Sequence, residues 1–130
     1  MTPRVFTATQ AGYSLQLVVT RQSQDLLIQL LGGDVPHYGV VTMVGQDGIT
    51  THALPSRPGH VHQEGVLTER VAAVLQPVLP GNAIITGGMH VNKITPAQMA
   101  AASAMTQQLA EAVRDWLTAQ PPLTITEEFS

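Results

Sequence analysis

At 130 residues the chain is long enough for one domain and too short for two comfortable ones. Only 12% of its residues are charged and the net charge is −3, which argues against a basic face for nucleic acid. No cysteine is present, which excludes a disulfide framework, thiolate catalysis and cysteine-based zinc sites.

Ordinary soluble domains carry about 25% charged residues. So little charge leaves apolar surface for a partner to cover, most simply a second copy of the chain. The start, MTPRVFTATQ, lacks the apolar core of a signal peptide. No apolar run approaches the roughly 18 residues of a membrane span, so a soluble cytoplasmic protein is expected.

The first half predicts strands. RVFTATQ has suitable length and β-branched content. In YSLQLVVT, Tyr13, Leu15, Leu17 and Val19 alternate with Ser14, Gln16 and Thr20, the period-two pattern of a half-buried strand, with Val18 as the exception. DLLIQLL and YGVVTMV follow, then the Asp47-Gly48 hairpin signal and a fifth strand, ITTHAL. Short connections predict an antiparallel meander of these five.

After Pro58-Gly59 the period changes. Val66 or Leu67, Val71, Val74, Leu75 and Val78 recur at spacings of three and four, an amphipathic helix stopped by Pro80-Gly81, with Pro77 near its end. NAIITGG is a short apolar strand, parallel to the fifth if the first helix is a crossover. A second helix starts at Thr95-Pro96-Ala97-Gln98, with a hydroxyl N-cap, proline at N1 and glutamine at N3. Met99, Ala102, Met105, Leu109, Val113 and Trp116 form its apolar stripe, and no charge falls between Ala97 and Ala110. That stretch is expected to pack on the sheet, with a helix contact in a dimer as a supplement. The fold expected is a single α+β domain over residues 1–120, a meander followed by helix–strand–helix, with a loose tail at 121–130.

All five histidines lie between residues 37 and 90, and three glycine boxes hold four of them: GGDVPH, PGHVH and GGMHVNK. The boxes follow strands three, five and six, which run the same way in this layout and so end at one edge of the sheet. Two of them precede helices, whose free backbone N–H groups attract anions. Taken singly, a Gly-Gly pair is turn chemistry, Asp34 caps a turn, Pro36 stiffens it, and His52, mid-strand, is a structural or surface histidine. His60 and His62, two apart, share a face of an extended segment and with His37 or His90 would make a three-histidine metal site. Few carboxylates lie near to support one, Asp34 and Glu64 being the closest, so an anionic ligand ranks above a metal. No G-x-S-x-G exists, and neither Ser56 nor Ser103 has an activating context.

GGDVPHYGVV, LPSRPGH and IITGGMHVNKIT followed by a helix, in this order from about Asp25 to Trp116, resemble the prenylated-flavin chaperone family, also described as the small D subunit of gallate decarboxylase. The positions carrying the resemblance are Gly32, Gly33, Asp34, Pro36 and His37; Pro58, Gly59 and His60; Gly88 and His90. It implies the fold of small dimeric proteasome-assembly chaperones and a non-catalytic role. It further implies binding of reduced prenylated FMN, made by a flavin prenyltransferase, and delivery to an apo-decarboxylase of the reversible prenylated-flavin class. Where the family runs toward an acid and an amide after the third histidine, this chain has Asn92 and Lys93, its only lysine.

The chemistry of such a ligand suits these residues. Glycines let backbone N–H groups approach a phosphate, and His60, His90 and Lys93 add charge-assisted hydrogen bonds. Asp34 would accept from ring N–H or ribityl hydroxyl groups, and Tyr38 or Met89 would cover the flat ring. Two other readings remain open at this stage: a histidine-dependent metalloprotein or small hydrolase, and a purely structural accessory subunit of a decarboxylase.

Overall fold

The computed structural model of the protein describes residues 2–34, 37–55, 65–88, 94–121 and 126–129. Six strands form one sheet: β1 (Arg4–Gln10), β2 (Tyr13–Gln22), β3 (Asp25–Gly32), β4 (Val40–Gly45), β5 (Gly48–Ala53) and β6 (Ala83–Gly87). Helix α1 (Gly65–Leu75) continues into a 3₁₀ turn (Gln76–Val78), and α2 spans Pro96–Ala119. The α+β class and the order of elements agree with the sequence reading.

The strand order corrects it. The sheet runs β1-β2-β3-β6-β4-β5, so β6 separates β3 from β4 and the five strands are not one continuous meander. Strand β6 pairs parallel with β3 and antiparallel with β4. Since β5 is also antiparallel to β4, β6 points the same way as β5, as expected, but does not pair with it. Hydrophobic periodicity reports which residues face the core and carries no information on which strand lies beside which. The expectation that chain neighbours pair was therefore the weak step.

The alternation in β2 resolves cleanly. Leu15, Leu17 and Val19 are buried on the helix-bearing face, and Val18 points to the other side. Ile28, Leu30, Val40 and Ile85 continue this inner face, on which α1 covers β4, β5 and β6 while α2 covers β1 and β2. From α1 come Leu67, Val71, Ala72 and Leu75; Val66, the alternative start of the stripe, is exposed. From α2 come Ala101, Ala102, Met105, Leu109, Ala110 and Val113. Much of the uncharged stretch of α2 is thus buried within its own chain, whereas Met99 is exposed and Trp116 is only partly buried, edge-on to Phe6 at 6.0 Å between ring centroids. Pro77, which has no amide to donate, lies where the α ladder gives way to the 3₁₀ turn.

The capping box of α2 forms as the sequence predicts: Thr95 accepts from the Gln98 amide at 3.1 Å and Gln98 accepts from the Thr95 amide at 3.0 Å. The Tyr13 hydroxyl then donates to the Gln98 carbonyl at 2.6 Å, pinning the start of α2 to the first residue of β2. Partial burial holds the Tyr13 phenol above its ordinary pKa. The phenolate is therefore disfavoured in the fold, so this stabilisation is intact below about pH 10 and is lost as pH rises further. Tyr13→Phe should lower stability by about 1 kcal/mol at neutral pH. It should also flatten the alkaline decline of the thermal midpoint; an unchanged decline would place the titrating group elsewhere.

Candidate functional site at the loop edge

Strand direction settles where the functional loops start. From the pairing, β1, β3, β5 and β6 all run toward one edge of the sheet, and β2 and β4 run away from it. Gly32-Gly33-Asp34 follows β3, Leu54-Pro55 follows β5 and Gly88 follows β6, so all three boxes begin at this edge. Both helices start toward it. Helix α1 begins over Thr51, and α2 begins beside the β1–β2 turn, where the Gln98 side chain reaches the Ala11 carbonyl at 3.4 Å.

The long β3–β4 junction has a topological cause. Its two strands are not neighbours, so the chain must step over the end of β6, a span of about two strand spacings or 9.5 Å. A two-residue hairpin loop cannot do this. The crossing is held by backbone bonds: the His37 amide donates to the Gly88 carbonyl at 3.0 Å and the Gly39 amide to the Gly87 carbonyl at 2.9 Å. The Leu54 amide in turn donates to the Gly39 carbonyl at 2.8 Å, tying the end of β5 to the same loop. Gly33 adopts φ +76°, a conformation that favours glycine. A Cβ on Gly88 would fall on the His37 carbonyl and within 2.6 Å of the Gly39 nitrogen. Two of the box glycines are thus set by the chain path itself.

Of the residues singled out in the sequence, Gly32, Gly33, Asp34, His37, Tyr38 and Gly88 are placed at this edge. Gly88 and His37 are in direct backbone contact. Asp34 is exposed, His37 half-buried, and Tyr38 67% exposed, an aromatic ring left in water next to buried Gly39. Pro36, Pro58, Gly59, His60, His62, Met89, His90, Asn92 and Lys93 lie outside the described residues. So does any three-histidine site, since three of the four histidines it needs are among them.

Two apolar residues of this edge were missed by sequence reasoning. Leu54 and Ile94 are exposed, and the Leu54–Gly39 bond sets Leu54 beside Tyr38. The signal for Leu54 was its position, last in the β5 run and followed by proline. Also missed was a hydroxyl chain beneath the edge. Thr42 of β4 bonds Thr51 of β5 at 2.8 Å and Thr68 of α1 at 2.7 Å, and Thr68 donates to the Gly65 carbonyl at 3.2 Å. This chain anchors the first turn of α1 to the sheet.

The helix starts are not equivalent for an anion. In α2, Pro96 has no amide, the Gln98 amide is capped by Thr95 and the Met99 amide bonds the Thr95 carbonyl, which leaves Ala97 in the first turn. The expectation of free donors thus suits the start of α1 better than that of α2. Concavities among the described residues lie elsewhere. One of about 220 Å³ sits at the opposite edge by Arg21, Val78 and Leu117, and one of about 480 Å³ on the outer helix face by Val66, Arg70 and Gln107. Neither holds the exposed Tyr38 or the glycine boxes, so the loop edge is the better candidate.

A single layer of two helices on a six-stranded sheet, with its glycine loops at one edge, is the architecture of a proteasome assembly chaperone. A subunit from the crystal structure of a chaperone complex for yeast 20S proteasome assembly superimposes with a TM-score of 0.54 over 90% of this chain and 98% of that one, at 9% identity. That likeness concerns the fold alone. Over residues 9–118 the chain matches the family described as prenylated flavin chaperone LpdD-like domain, and it belongs to that family. It is 42% identical over 117 residues to Protein LpdD of Lactiplantibacillus plantarum, covering 89% of this chain and 86% of that protein. No helix among the described residues is long and apolar enough to cross a membrane.

Proposed function

We propose that the chain binds reduced prenylated FMN at the loop edge and hands it to an apo-decarboxylase of the reversible prenylated-flavin class, such as a gallate decarboxylase, without catalysing a step itself. It receives the cofactor from a flavin prenyltransferase, in the cytoplasm, and works as a homodimer. Family membership supports the class of ligand. The observation that carries the site is the bonding of the β3–β4 loop to Gly87 and Gly88, which joins the first box to the third at the edge where the second begins.

The edge suits the ligand part by part. Exposed Tyr38 and Leu54, side by side, are an apolar surface of the kind a flat ring covers. Asp34 is available in sequence and position for ring N–H or ribityl hydroxyl groups. The phosphate falls to the glycine boxes with His60, His90 and Lys93, near the start of α1.

The direct test is anaerobic titration with reduced prenylated FMN, compared with FMN and riboflavin. Removing the phosphate, as in prenylated riboflavin, should weaken binding more than about tenfold, ~1.4 kcal/mol. Equal binding of the two would put the phosphate in solvent and the site elsewhere. Chelation before titration should leave affinity intact. Loss on chelation with rescue by one divalent ion would instead make His37, His60, His62 and His90 metal ligands.

A further inference from the structure

The helices cover one face of the sheet and leave the other bare. Residues paired across strands share a face, so the register defines the bare one. At its centre Leu27 of β3 sits beside Ile84 of β6, and Ile84 beside Met43 of β4. These three neighbours are 40%, 47% and 43% exposed, on the three innermost strands of the sheet. Val5 at the β1 end of the next row is also exposed. The remaining outward positions are mostly threonine, glutamine and valine, and the one ionised side chain among them, Asp25, lies at the far end of β3, bonded to the Asn82 amide.

From this we infer that the helix-free face is the surface on which two copies of the chain associate, sheet against sheet, with Ile84 near the two-fold axis. It rests on the homodimer proposed above and adds where the dimer forms. Charge selects the occupant. Each copy carries a net charge of −3, and its acids lie on the helices, the loops and the tail. A charge-free face is where two such chains meet without like-charge repulsion. It offers nothing to a partner that binds through charge. Area agrees: six strands about 4.8 Å apart and six residues of about 3.3 Å rise give roughly 500 Å² in projection. Side-chain relief raises the accessible area toward the roughly 800 Å² per partner of a standard interface. Two such faces pack about 10 Å apart as in a β-sandwich, and a two-fold axis near Ile84 sets that residue against its own copy.

Light scattering over a concentration series should give twice the 13.8 kDa chain mass for the unaltered protein. Ile84→Glu should move the midpoint of association at least 100-fold upward in concentration while the far-ultraviolet circular dichroism stays native. Because the chain has no cysteine, Ile84→Cys provides a second readout that keeps an apolar-sized side chain. Mild oxidation should crosslink it into a covalent dimer, whereas Gln107→Cys, on the outer helix face, should stay uncrosslinked. A monomer at high concentration overturns the inference, as does a folded Ile84→Glu protein that still dimerises. If Ile84→Glu does not fold, absence of crosslinking in Ile84→Cys overturns it. A monomer that pairs only with a decarboxylase through this face also overturns it. Cofactor titration of the same samples reports on the loop edge separately, so failure of flavin binding leaves the mass result standing.

Discussion

Gly88→Ala should lower stability by about 3 kcal/mol, at the upper end of what overpacking costs, and should weaken cofactor binding as well. The added methyl group would meet backbone, the His37 carbonyl and the Gly39 amide, rather than a side chain that swings aside. Relief requires lifting the β3–β4 loop off β6, which breaks the His37–Gly88 and Gly39–Gly87 bonds and moves Tyr38 and the first box together. For a chain of this length the thermal midpoint should fall by roughly 10 °C. Gly65→Ala is the matched control: its Cβ meets only the Thr51 methyl group at an ordinary 3.5 Å, and alanine favours the helix start. It should be neutral or stabilising. An unchanged midpoint and affinity in Gly88→Ala would mean that the loop does not rest on β6 in solution.

His37→Ala and His60→Ala should each cost about 1–3 kcal/mol of cofactor affinity, the range for a hydrogen bond to a charged group, with little loss of folding stability. For His37 the reason is on view. The bond that anchors its loop is made by the backbone amide, which alanine retains. His60 follows β5, whose end is tied to that same loop through Leu54 and Gly39. His52→Ala is the control, since this residue points from the edge strand β5 to the helix-free face opposite Val41, away from the boxes. Thermal midpoints and anaerobic affinities measured together on all three variants decide the matter. Unfolding of the His37 and His60 variants, with binding retained in whatever stays folded, would make both histidines structural and remove the site from this edge.

The local structure was legible in the chain alone. Alternation in YSLQLVVT gave β2 its inner face, Thr95-Pro96-Ala97-Gln98 gave α2 its first turn, and Pro80-Gly81 ended the first helical segment, because each signal acts within a few residues. The resemblance of the boxes identified the family, since their order and spacing are properties of sequence. Four matters were decided only by tertiary structure. Strand β6 enters between β3 and β4, which no period within either strand encodes. The opening glycines at Gly33 and the later Gly88 answer to that insertion: one turns the chain and the other lets it cross, and ligand chemistry alone had been the sequence-level account of them. The buried side of α2 could be read from its stripe, but not that its alanines are spent on its own chain, which shifts the expected dimer contact to the bare sheet. Leu54 and Tyr38, twelve or more residues apart along the chain and separated by a hairpin, become neighbours through one hydrogen bond. Pairing of that kind depends on strand order, a long-range property, and periodicity is a short-range one.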